Sequence, residues 1–148
     1  MTYNFAISAN GSYDLFDEIE ECVIDSSINI ETEYLEKILA GFSLIDRGIP
    51  TLYEHLVTHL KDRIEEMGPE RVSRAGYYLS RATNVHAGGY GFYIEMEKHI
   101  KRSLHEGKVT AADLAKIVEN LLPQNLGSKE FQKDLEDFIL LTKFDSPT

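Results

Sequence analysis

Two pairs of side chains stand at a spacing that suits a transition metal. His55 and His59 are four residues apart, about one helical turn, and Glu95 and His99 repeat that spacing forty positions later. Imidazoles at i and i+4 with a carboxylate beside them can hold zinc. The same four positions flank an apolar stripe, where polar groups ordinarily face water. The expectation is therefore a chain with no bound metal and no cofactor, with His55, His59, Glu95 and His99 as the one set to test. A second constellation mixes cations and aromatics: Arg71, Arg74, Arg81, Lys98, Lys101 and Arg102 with Tyr77, Tyr78, Tyr90 and Tyr93. Single-stranded RNA binds such mixtures by phosphate pairing and base stacking. Glu95, Glu97 and an isoelectric point of about 4.9 oppose it, so RNA binding is the alternative function.

Other motifs fall away on chemical grounds. The stretch 102–113 places Gly107 where an EF-hand loop turns, but Arg102 and Leu104 occupy the first and third ligand positions, and neither ligates calcium. Gly88-Gly89-Tyr90-Gly91 precedes a helix, yet no Lys-Ser/Thr follows and no strand leads into it, which excludes a P-loop and a dinucleotide fold. Cys22 lies among acids, which raise a thiol's pKa and blunt its nucleophilicity. Neither Gly-x-Ser-x-Gly nor His-Glu-x-x-His occurs. No catalytic residue is identified, and the expectation is a protein that is not an enzyme.

The elements that must carry these residues read as helices. Leu52-Tyr53-x-x-Leu56-x-x-x-Leu60 matches Phe92-Tyr93-x-x-Met96-x-x-x-Ile100, each after a turn signal. Related runs are Leu15-Phe16-x-x-Ile19-x-x-x-Val23 and Phe131-x-x-x-Leu135-x-x-x-Ile139. Between them lie helices of a second kind, around Lys37–Phe42, Arg74–Leu79 and Lys116–Leu121. Gly41 and Gly76 fall at matching places of two of these, where a helix interior tolerates glycine only at a cost, so close helix approach is expected. Pro50 and Pro69 suit first helical turns, Thr110 and Asp113 form a capping box, and Ser12 and Ser128 are N-caps.

This predicts an all-α chain of about seven helices in antiparallel hairpins, a stacked array or a compact bundle. Residues 1–148 form one domain, with 1–12 as an extended arm, 12–36 as an acidic first hairpin region and 143–148 as a tail. Helix 3 is expected to run from Pro50 to about Met67, and helix 7 to end near Thr142. The expected core includes Leu15, Ile19, Leu35, Ile38, Leu52, Leu56, Leu60, Leu79, Met96, Ile100, Leu114, Ile117, Leu135 and Ile139.

The aligned segments resemble the α-solenoid class of helical-hairpin repeats, similar to tetratricopeptide and octotricopeptide arrays. The Trp-Leu-Gly-Tyr pattern of the former is missing, as is the Thr-Pro-Leu-His of ankyrin repeats. What the resemblance implies is a module that binds macromolecules.

Charge distribution adds a direction. Residues 1–36 hold nine acids and no Lys or Arg, while the whole chain carries −10. Such an end either solvates the terminus of an array or meets a basic partner. No apolar run reaches the ~20 residues of a membrane span, and Met1 to Asn10 lacks the basic region of a signal or presequence. A lone cysteine fits a reducing intracellular compartment, the cytoplasm by default, with an organelle matrix also compatible. The expected function is a non-enzymatic scaffold or adaptor subunit that binds another protein, a basic one if it docks on the acidic end.

Overall fold

The apolar residues recur every three to four positions along most of the chain, and the structure folds them as helices packed in two layers. It is a computed structural model that describes residues 13–26, 29–45, 48–82 and 91–145, with the side chains of 13–16, 26 and 142–145 left aside. Seven α-helices follow in order: α1 (Tyr13–Ser26), α2 (Thr32–Leu44), α3 (Pro50–Asp62), α4 (Pro69–Arg81), α5 (Phe92–His105), α6 (Ala111–Leu121) and α7 (Lys129–Asp145). No strand occurs among the described residues. The arm 1–12, Ser12, Tyr90 and the Gly88-Gly89 turn lie outside the described residues.

Odd-numbered helices neighbour one another, α1 on α3 and α3 on α5, and Lys101 of α5 reaches Glu130 and Asp134 of α7. Even-numbered helices form the other layer, α2 on α4 and α4 on α6. The layers are joined where α2 meets α3, α4 meets α5 and α6 meets α7. The most extensive contact is α4 with α6, followed by α4 with α2 and α5, so α4 is the hub.

The core carries Leu35, Ile38, Leu52, Leu56, Leu60, Leu79, Met96, Ile100, Leu114, Ile117 and Leu135 as expected, all buried. Ile19 and Ile139 are only partly buried against it, and the Leu15 side chain is outside the described set. Tyr53 and Phe131 are fully enclosed as well. The close approach expected at Gly76 is present: a Cβ there would stand 2.6 Å from Met96 Sδ, and the Tyr93 phenol donates to the Gly76 carbonyl at 3.3 Å. Burial pushes that phenol's pKa up to about 12.

Two boundaries differ from expectation. α3 stops at Asp62, and Ile64–Glu66 form a 3-10 turn instead of continuing it to Met67. Glu66 and Met67 donate to the carbonyls of Arg63 and Ile64, three residues back, at 2.9 and 3.1 Å. Three residues per turn set Ile64 and Met67 on one side, and both are buried. At the other end, α7 runs to Asp145, so the expected tail from 143 begins as helix.

Helix ends show a device that recurs. Thr110 and Asp113 make the expected reciprocal capping box on α6. Ser128 caps α7 by accepting from Phe131 N–H at 3.1 Å. In addition the Glu97 carboxylate of α5 accepts the Ser128 backbone N–H. Likewise Glu20 of α1 accepts from the backbone of Ile49, the N-cap of α3, whose side chain makes no cap of its own. In each case a carboxylate from one odd helix sits on the positive end of the next odd helix.

Candidate functional site: the groove between α2 and α4

Side by side, α2 and α4 leave an open groove of about 470 Å³. Leu39, Ala40 and Ala75 supply apolar lining, with Tyr78 beside them, and Glu33, Glu36, Lys37, Arg71 and Arg74 supply charge. The two helices carry the same local ion pair. On α2, Lys37 Nζ lies 3.3 Å from Glu33 Oε1; on α4, Arg74 Nη2 lies 2.7 Å from Glu70 Oε1. Both are acid-to-base pairs at i, i+4, the orientation that agrees with the helix dipole. A third pair crosses between the helices: Arg71 donates to Glu36 through Nη2 at 2.6 Å and Nε at 3.3 Å. This fork is less exposed than the local pairs and joins α2 to α4.

The groove therefore offers both signs of charge beside apolar surface. Among the described residues that line it there is no histidine, cysteine, serine or threonine. Its chemistry is exchange of ion pairs beside the half-buried Tyr78, since Leu39, Ala40 and Ala75 are already buried.

The candidate metal set is not assembled among the described residues. His55 Nδ1 engages the Thr51 carbonyl at 3.0 Å, and Glu95 lies 3.8 Å from Lys98. His99 is buried, and its Nε2 stands 2.9 Å from the Met67 carbonyl. A carbonyl only accepts, so Nε2 carries the proton and Nδ1 faces Arg102 Nη2 at 3.3 Å as acceptor. Both ring nitrogens are thus engaged within the fold. Among the described residues no group of three or more His, Cys, Asp or Glu side chains is placed to hold a metal, His55, His59, Glu95 and His99 included. The alignment places α3 beside α5, as the structure does, but His55, Glu95 and His99 each engage a different neighbour.

The basic and aromatic set is likewise dispersed. Arg71 and Arg74 border the groove, Lys101 reaches α7, and Arg102 pairs with Glu65 in the 3-10 turn. Lys98 lies beside Glu95 on its own helix. Arg81 sits over the Tyr77 ring at 5.9 Å and donates to its hydroxyl at 3.4 Å. Tyr90 lies outside the described residues. Every cation of the set except Arg81 has a carboxylate within ion-pair distance, which removes most of the net positive field that RNA requires.

The α2 wall of the groove was missed in the sequence. Its signal was present: Glu33 and Lys37 precede Glu70 and Arg74 by the same thirty-seven residues. No protein-family model, curated protein or solved structure matches the chain.

Proposed function

We propose that this chain is a non-enzymatic interaction module that binds a segment of another protein along the α2–α4 groove. The carrying observation is the groove itself: a floor of buried Leu39, Ala40 and Ala75 and half-buried Tyr78 between two walls that bear matched ion pairs. A partner segment bearing both signs of charge would exchange partners with Lys37 and Arg74 and cover the half-buried Tyr78 ring. Ala40 and Ala75 are small, which allows a backbone to approach closely. The alternation of like helices in two layers, and the matching i, i+4 acid–base pairs on α2 (Glu33–Lys37) and α4 (Glu70–Arg74), support the helical-repeat reading from which this function follows. Asp17, Glu18, Glu21 and Asp25 are exposed along α1, so a basic region of the same partner fits that end.

The test is the double reversal Lys37→Glu with Arg74→Glu, two exposed positions outside the core. Native protein should co-purify with a defined partner from its source cells. The variant should keep its helical circular dichroism and lose that partner. A partner retained undiminished by the variant, or a native protein that runs alone, overturns the proposal.

A further inference from the structure

The odd-numbered layer ends on a helix whose outer side is open. Glu20 and Glu97 each follow a stripe residue, Ile19 and Met96, and each points to the next odd helix. Glu136 holds the same place in α7, one residue after Leu135, and it is exposed. The side of α7 that corresponds to the one α1 turns to α3, and α5 to α7, therefore faces solvent.

Phe131, Leu135, Phe138 and Ile139 turn inward on α7. At 100° per residue the opposite stripe is Lys129, Lys133, Glu136, Asp137 and Leu140. All five are exposed, and Leu140 is 53% so. Glu130 and Asp134, off that stripe's centre, are taken by Lys101. Lys129, Lys133, Glu136 and Asp137 make no ion pair among the described residues. The stripe is basic toward its start, acidic in its middle and apolar after that.

We infer that this stripe pairs with itself: two copies of the chain associate through antiparallel α7 helices about a two-fold axis. With the axis near residues 134 and 135, Lys133 of each copy faces Glu136 and Asp137 of the other. Each Leu140 then lies along the methylene stem of the other copy's Lys129. A parallel pairing would set like charges opposite each other. The self-complementary pattern meets the requirement of a two-fold interface, in which one patch contacts itself. The packing order α1–α3–α5–α7, its last step carried by Lys101 against Glu130 and Asp134, also puts the acidic helix at the far end from this interface, which limits repulsion between two chains of charge −10. This inference does not depend on the α2–α4 groove.

A pair of 17-residue helices spans only about 25 Å, so the interface is small and the dimer weak. Sedimentation equilibrium of the full chain in about 0.15 M salt, where the Debye length is about 8 Å, should show a monomer–dimer equilibrium. Lys133→Glu sets like charges opposite each other twice and should weaken association about tenfold or more. Adding Glu136→Lys and Asp137→Lys to that variant should restore it, since the charge pattern is then inverted but again self-complementary. Leu140→Glu should also weaken it. All four positions are exposed, and unchanged circular dichroism confirms an intact fold. A monomer at every concentration up to about 1 mM, a dimer indifferent to Lys133→Glu and Leu140→Glu, or no recovery in the triple variant overturns the proposal.

Discussion

Glu97 stands to α7 as Glu20 stands to α3. Each lies one residue past an aligned stripe position, and each presents its carboxylate to a backbone N–H at the start of the following odd helix, Ser128 for one and Ile49 for the other. A carboxylate there satisfies a donor that the helix itself leaves unpaired and faces the positive end of its dipole. The intervening helix α3 has Val57 at this register, fully buried. The α3–α5 junction is accordingly apolar, with the His99–Met67 hydrogen bond and the Arg102–Glu65 pair alongside.

Glu97→Ala should cost roughly 1–2 kcal/mol, the range for loss of a helix cap. The loss should be local. Amide exchange at Ser128 to Phe131 should accelerate while α2 to α4 stay protected. Glu97→Gln, which keeps an acceptor oxygen, should recover part of the difference. Uniform acceleration across all helices would show that Glu97 acts on the core instead of on the end of α7.

Glu20 makes the docking of α1 depend on pH. Its pKa is raised above the ordinary value near 4.5, chiefly because burial disfavours the charge and also because Asp17 adds repulsion, against a lowering by the Ile49 N–H. A raised folded-state carboxyl binds its proton more tightly folded than unfolded. Its contribution to stability is fully present below the unfolded value and is lost as pH rises through the folded value. The docking of α1 should therefore be tighter near pH 4.5 than near pH 7. Glu20→Gln should remove that share of the pH dependence and leave α1 as protected at pH 7 as the native chain or more so. Hydrogen exchange of α1 in the two proteins at both pH values checks it.

Gly76→Ala sets two effects against each other. Alanine raises helix propensity by about 1 kcal/mol. The new Cβ would fall 2.6 Å from the sulfur of Met96, which is fully buried and has little room to retreat. Overpacking of this kind costs about 1–3 kcal/mol, so a net loss of stability is expected. Combining it with Met96→Ala should cost less than the sum of the two single changes, because the second removes the clash. Additive denaturation midpoints would place the strain elsewhere.

His99 should be structural. His99→Leu leaves the Met67 carbonyl without its donor and should cost roughly 1–3 kcal/mol. His99→Gln, whose amide nitrogen can donate, should cost less. His55→Gln and His59→Gln, at half-exposed positions, should change the thermal midpoint little. Equal effects at all three positions would remove the distinction.

The fold was legible because helices announce themselves in several ways at once. Apolar spacing, Pro50 and Pro69 at first turns, and the Thr110–Asp113 box all agree with one another. The 3-10 turn was not legible, since Ile64 and Met67, three apart, fit an α-helical stripe as well as a tighter one. The site was hidden for a different reason. Glu36 and Arg71 are thirty-five residues apart, and only the packing of α2 on α4 makes them partners. Whether His55, His59, Glu95 and His99 converge was not legible either, because periodicity places helices side by side but leaves their angle about their own axes open by tens of degrees. Nothing in the spacing marks Glu20 and Glu97 as caps, because a carboxylate beside an apolar stripe usually faces water.

The central place of α4 bears on how fast the chain assembles. Its three main neighbours, α2, α5 and α6, are one or two helices away along the chain, so each contact closes only a short loop. Loop entropy grows slowly with length, but folding rates fall steeply as partners become distant in sequence. A chain whose hub packs mainly on near neighbours belongs with the fast folders, in the microsecond-to-millisecond range of helical bundles. Its nucleus should form around α4, so that substitutions at Val72, Ala75 and Leu79 slow folding, while those on α1 and α7 chiefly speed unfolding.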